Sequence, residues 1–159
     1  MFRNCSTPQI RINPQIRRIF SLRSRLQFIP PLVPVISAKP PEGGDWIHEV
    51  KYDGYRTQLI IEDGKARAFT KTGLDWSAKY GPVVEAAAAL PCKNAILDGE
   101  MVVLDERGVS DFLALPGAIR KAPERLVFVA FDLLHLDGFD RRWDDHTTVL
   151  YSLRRRGFE

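Results

Sequence analysis

Cysteine and histidine are both scarce in this chain, and its first 41 residues contain no acid at all. The two cysteines, Cys5 and Cys92, stand far apart and away from any histidine cluster. That argues against a zinc site and for a reducing compartment, so the expected location is cytoplasmic. His48, His135 and His146 are scattered and share no partner motif, which removes histidine as an obvious general base or metal ligand. No apolar run reaches the roughly 20 residues a membrane helix needs, and no secretory core is visible. Neither membrane insertion nor export is therefore expected.

What is present divides unevenly. Residues 1–41 hold seven basic residues (Arg3, Arg11, Arg17, Arg18, Arg23, Arg25 and Lys39), while the remainder holds sixteen basic and twenty acidic ones. The net charge of +3 thus belongs to the leader, and the rest of the chain stands at −4. Such a leader reads as an arm for nucleic acid, as a transit-like segment, or as a disordered extension. The boundary falls near Gln27, giving a basic leader at 1–27 and one domain at 28–159. "FIPPLVPVISAKPPEGGDW" follows, whose five prolines and Gly-Gly pair exclude a helix or a central strand.

From Trp46 the pattern becomes regular. "WIHEVKY" alternates with period two, predicting a strand with Trp46, His48, Val50 and Tyr52 on one face and Ile47, Glu49 and Lys51 on the other. "YRTQLIIEDGKARAFT" reads as two strands joined at Asp63-Gly64. "KYGPVVEAAAALP" is helix-like, "NAILDGEMVVLDERG" and "RLVFVAFDLLHLDG" are strand-like, and "DDHTTVLYSLRRR" predicts a last helix. "SDFLALPGAIRK" starts as a helix capped by Ser110, which Pro116-Gly117 should break. The expected class is α+β, an antiparallel sheet with a few helices packed on it. The sheet looks incomplete, because the chain stops on an arginine-rich helix end.

Charged groups recur where buried strands should lie. Lys51 sits between Glu49 and Asp53, Gly54 permits a sharp turn, and Arg56 follows; Glu100 and Asp132 interrupt apolar strands. An unpaired buried charge costs several kcal/mol, so these groups suggest a shared cleft. Each alone has a structural explanation, such as a Glu100–Arg56 pair or a turn capped by Asp132.

The set in order, "EVKYDGYR", "ILDGEMVV" and "FVAFDLLHLDG", is similar to the motifs of the covalent nucleotidyltransferase superfamily. With "FIPPLVP", "PPEGGDW" and "FTKTGLDWSAKY", it most resembles the adenylation domain of bacterial ATP-dependent DNA ligases of the end-joining type, over roughly 28–156. The resemblance implies an antiparallel, ATP-grasp-like core. It implies that Lys51 attacks the α-phosphorus of ATP, expels pyrophosphate and holds AMP, with Mg2+ on the phosphates. It further implies that Glu49 reads adenine, that Arg56 and Lys71 contact ribose or phosphate, and that Glu100 holds ribose or metal. Phe131 would stack on the adenine, with Phe128 as the fallback, and nicked or broken DNA would be the partner.

Three departures stand out. Lys71 replaces the usual arginine, Pro116-Gly117 interrupts a helix, and the later E-G-x-x-x-K and K-x-K segments do not occur before Glu159. The second, oligonucleotide-binding domain is not in this sequence either. The expectation is a partial ligase domain whose nick sealing is impaired. The alternatives are a non-catalytic nucleotide-binding remnant, an RNA ligase or capping-type enzyme, and a nucleic-acid module using the leader.

Overall fold

In the computed structural model, described for residues 25–32, 51–142 and 151–153, the hairpin forms where the turn chemistry puts it. Strand β1 (Tyr55–Glu62) and β2 (Lys65–Thr70) flank Asp63 and Gly64, whose φ values of 48° and 73° are both left-handed. This is the double requirement of a type I′ turn, met by the Asp-Gly pair. A 3-10 turn at Ser77–Tyr80 leads into α1 (Gly81–Ala88), with Pro82 in the first turn, where no N–H is needed. Strand β3 (Asn94–Val102), α2 (Leu115–Lys121), β4 (Val127–Leu136), β5 (Phe139–Asp140) and β6 (Tyr151–Leu153) follow.

The six strands form one antiparallel sheet in the order β2-β1-β3-β4-β5, with β6 pairing β4 as well. Fold class is as expected: α+β on an antiparallel sheet. Leu59 and Ile61 of β1, Met101 of β3, and Phe128 and Ala130 of β4 bury against Val83 and Ala87 of α1 and Leu115 and Ala118 of α2. Full burial of each large side chain stabilises the fold by roughly 1.5–3 kcal/mol, so this helix-covered face is the main core.

The other face holds two smaller apolar patches. Ile60, Phe69 and Ile96 are covered by Leu26, Phe28 and Ile29 of an extended strap, residues 25–32. Gln58 fastens that strap, accepting from the Ile29 N–H at 2.9 Å and donating to the Ile29 carbonyl at 3.0 Å. Val102, Val127 and Val129 make the second patch, covered by Tyr52 and Leu104.

Four expectations are corrected. Lys51 does not lie in the middle of a strand: residues 51–54 are an irregular lead-in, and regular pairing begins at Tyr55. The in-and-out alternation survives locally, since Tyr52 packs inward and Lys51 points out. Pro116-Gly117 does not break a helix, because α2 begins at Leu115 and so places Pro116 in its first turn. Ser110 does not cap that helix; its hydroxyl accepts the Asp53 N–H, while Asp111 accepts the Ala114 N–H. The expected last helix is contradicted at Tyr151–Leu153, which pairs with Phe128–Ala130. The open edge of β4 offers backbone partners that outweigh local helix preference. The rest of that segment, with the leader and residues 33–50, lies outside the described residues.

Candidate nucleotide-binding site

Along β3 the residues facing away from the helices are Ile96, Asp98, Glu100 and Val102. The first and last belong to the two apolar patches. Two carboxylates therefore occupy the gap between the patches, as the alternation of "ILDGEMV" demands. On β1, Arg56 is the cross-strand partner of Glu100, and Gln58 that of Asp98.

Arg56 does not pair with the glutamate opposite. It reaches diagonally to Asp98, donating from Nε to Oδ1 at 3.3 Å and from Nη2 to Oδ2 at 3.0 Å. The Asp98 side chain is only 5% exposed, and that of Arg56 is 26% exposed. A third bond runs from Nη1 to the Leu32 carbonyl of the strap at 3.3 Å. The guanidinium carbon lies 5.3 Å from the centre of the Phe131 ring.

Phe131 follows Val127 and Val129 in period two onto this face, and it stands at an irregularity. Gly99 pairs with Ala130 and Asp98 with Asp132, so Phe131 is an extra residue in β4 with no partner on β3. Such a bulge resets the alternation of the residues that follow it, here Asp132, and a second one follows at Leu134. Phe128, the fallback for adenine stacking, is fully buried in the helix-side core and is unable to serve.

Glu100 is half-buried, and desolvation raises its proton affinity above the usual carboxylate range. The Gly54 N–H, Arg56 and Lys51 oppose that shift, and Asp53 adds to it. A carboxyl with a raised folded-state value is destabilising once it must ionise, and the stability it gives at low pH is lost as pH rises through that value. Glu100→Gln is accordingly expected to raise the melting temperature at about pH 7.5, with the gain shrinking toward about pH 4. A gain independent of pH in thermal melts would contradict this.

Lys51 stands beside this cluster on the lead-in, 85% exposed, with Nζ 3.4 Å from Asp53 Oδ1. The Asp53 N–H to Ser110 Oγ bond at 3.1 Å ties the lead-in to the loop before α2. Lys71 is exposed in the turn after β2, one residue beyond the Thr57–Thr70 pair and so at the Arg56 end of the hairpin. Glu49, His48 and His146 lie outside the described residues. His135 of β4 bonds Asn94 of β3 through Nε2 at 2.8 Å, a structural contact between strands. Asp98 was not singled out from the sequence. The signal was its place in the D-G-E triplet, two residues from Glu100 on the same face.

Among the described residues, no three His, Cys, Asp or Glu side chains group as a metal site, and no helix is long and apolar enough to cross a membrane. Magnesium needs only one or two protein carboxylates when phosphates complete its shell. Glu100, a hard oxygen donor on this face, fits a metal that arrives with a triphosphate.

Residues 35–156 match the family model described as the ATP dependent DNA ligase domain. The chain is 40% identical over 117 residues to the multifunctional non-homologous end joining protein LigD of Pseudomonas aeruginosa, covering 73% of this chain and 14% of that one. It is 32% identical over 142 residues to the bifunctional non-homologous end joining protein LigD of Bacillus subtilis, covering 77% and 22%. The chain thus spans a seventh to about a fifth of these relatives' length. Among solved structures it is similar to the ligase domain of M. tuberculosis LigD, at 39% identity and a TM-score of 0.52, over 58% of this chain and 30% of that one. A mycobacterial DNA ligase D complexed with ATP and MES matches with 37% identity and the same TM-score and coverage.

Proposed function

Because the chain belongs to the ATP-dependent DNA ligase domain family, we propose that Lys51 takes up AMP from ATP and that the facing residues hold the nucleotide. The observation that carries this reading is the grouping of Arg56, Asp98, Glu100 and Phe131 in one gap between apolar patches, beside Lys51. The order of those residues along the chain also follows the family's motifs.

In this reading the Lys51 ammonium first gives up a proton to solvent. The neutral amine then attacks the α-phosphorus: an N–P bond forms, and the P–O bond to pyrophosphate breaks. Asp53 Oδ1 accepts from Nζ at 3.4 Å and holds the side chain in place ahead of nucleotide binding. Glu100 would hold a Mg2+ ion that comes with the triphosphate, and the ion would supply positive charge at the transferring phosphate. Arg56 has two of its five N–H groups outside the three bonds described, and these meet nucleotide oxygens. Phe131 presents its ring to the adenine, Lys71 adds charge at the hairpin end, and Glu49 reads the base edge. The relatives' names make broken DNA the substrate to propose, with AMP passed to a 5′-phosphate at the break and displaced by a 3′-hydroxyl.

The test uses the whole chain with magnesium and ATP labelled at the α-phosphate. Label is expected on the protein, stable to alkali, released by acid and removed by added pyrophosphate. The γ-labelled nucleotide should leave none. A chain that stays unlabelled under both conditions is not an adenylating enzyme.

A further inference from the structure

Arg56 has two carboxylates within reach and uses only one. Glu100 is its direct cross-strand partner, yet both carboxylate oxygens that the guanidinium engages belong to Asp98. We propose that Asp98 is a positioning residue, whose buried carboxylate aims the Arg56 guanidinium across the Phe131 ring and keeps it off Glu100. This deepens the adenylation reading and rests on it.

The geometry has three parts. Asp98 is 3% exposed, and each of its carboxylate oxygens accepts a bond from Arg56, so the pair is bidentate and fixes the plane of the guanidinium as well as its place. The Leu32 carbonyl takes Nη1 from the strap side, so the fork is held on two edges. With the plane fixed, the two N–H groups outside these bonds point away from Asp98, where a nucleotide oxygen would lie. Asparagine presents one acceptor where aspartate presents two, so it leaves the guanidinium free to turn.

Keeping Arg56 off Glu100 matters as much as aiming it. If Arg56 folded onto the glutamate opposite, one ion pair would consume both the cation for phosphate and the carboxylate for metal or ribose. A buried carboxylate diagonal to the arginine prevents that collapse, because leaving Asp98 buried and unpaired costs more than the exchange returns. Asp98 itself touches no reacting atom in this scheme.

The experiment compares the native chain, Asp98→Asn and the double variant Asp98→Asn/Arg56→Gln. Two readouts are used: hydrogen-exchange protection of the Arg56 side-chain Nε–H by NMR, and ATP dependence of lysine adenylation. In Asp98→Asn, the protected Nε–H signal should disappear and KM for ATP should rise roughly tenfold or more, with a smaller fall in rate at saturating ATP. The double variant swaps a buried ion pair for a neutral hydrogen-bonded pair, so it should recover melting temperature without recovering KM.

A merely structural Asp98 predicts that Asp98→Asn, assayed below its melting transition, keeps the native KM for ATP, and that result overturns the assignment. Equal protection of the arginine signal in the native chain and Asp98→Asn overturns it as well, whatever the ATP assay gives. A native chain that forms no adenylate removes the adenylation reading alone, since the arginine signal still judges the ion pair.

Discussion

Lys51→Ala is expected to abolish labelling by α-phosphate-labelled ATP, by at least about four orders of magnitude, while leaving the melting temperature unchanged. Removing a nucleophile leaves no alternative bond to form, and losses on this scale follow when the attacking atom itself is deleted. The fold should not notice. Lys51 is 85% exposed, lies ahead of β1, and among the described residues makes one exposed ion pair, with Asp53. Pairs of that kind contribute little to stability because water and salt screen them. Lys51→Arg should fail equally, since a guanidinium keeps its charge and its proton under all working conditions. Label retained in Lys51→Ala would place the adenylate elsewhere, and mass mapping of the labelled peptide would show where. An unlabelled variant that has also lost its melting transition would point to a structural lysine instead.

Gly99→Ala should cost the fold roughly 3 kcal/mol, against a net stability on the order of 5–15 kcal/mol for a domain of this kind. A Cβ at position 99 would meet the Val129 carbonyl oxygen at 2.4 Å and the Phe128 ring at 2.5 and 2.7 Å. Neither neighbour is able to move aside cheaply. The carbonyl is β4 backbone, and Phe128 is fully buried beneath the helices. The glycine of the D-G-E triplet is therefore present for close approach of β3 and β4, next to the bulge at Phe131. The glycine of K-x-D-G does similar work, since a Cβ at Gly54 would lie 2.2 Å from the Met101 carbonyl oxygen. Gly64→Ala is the proper comparison. Nothing lies within 4 Å of a Cβ there, and only its φ of 73° is costly, so about 1–2 kcal/mol is expected. Denaturant melts of the two variants, read by their midpoints, separate the effects. Equal losses would mean that sheet spacing relaxes freely around position 99.

Much of the site was legible in the residues themselves. Arg56, Glu100 and Phe131 were marked by charge or by motif position, and the fold brings them to one face. What the residues did not disclose was partner choice. The arginine–aspartate pair skips the carboxylate directly across the strand, and the distance from Arg56 to Asp98 depends on twist and side-chain reach. Periodicity also failed just after Phe131, because one inserted residue in β4 resets the alternation and places Asp132 across from Asp98, and no local pattern announces a bulge. It failed again at Tyr151–Leu153, where the pairing edge is supplied by residues more than twenty positions earlier.

The residue order alone determined the β1–β2 hairpin, the antiparallel α+β class and the motif set that marks the family. Each of these rests on local chemistry: an Asp-Gly turn, period-two burial, and charge inside apolar strands. Tertiary structure decided which carboxylate holds Arg56, which phenylalanine reaches the site and where β6 goes. Those outcomes depend on backbone partners and packing contacts between segments far apart in the chain, whose free energies outweigh the propensities of either segment alone.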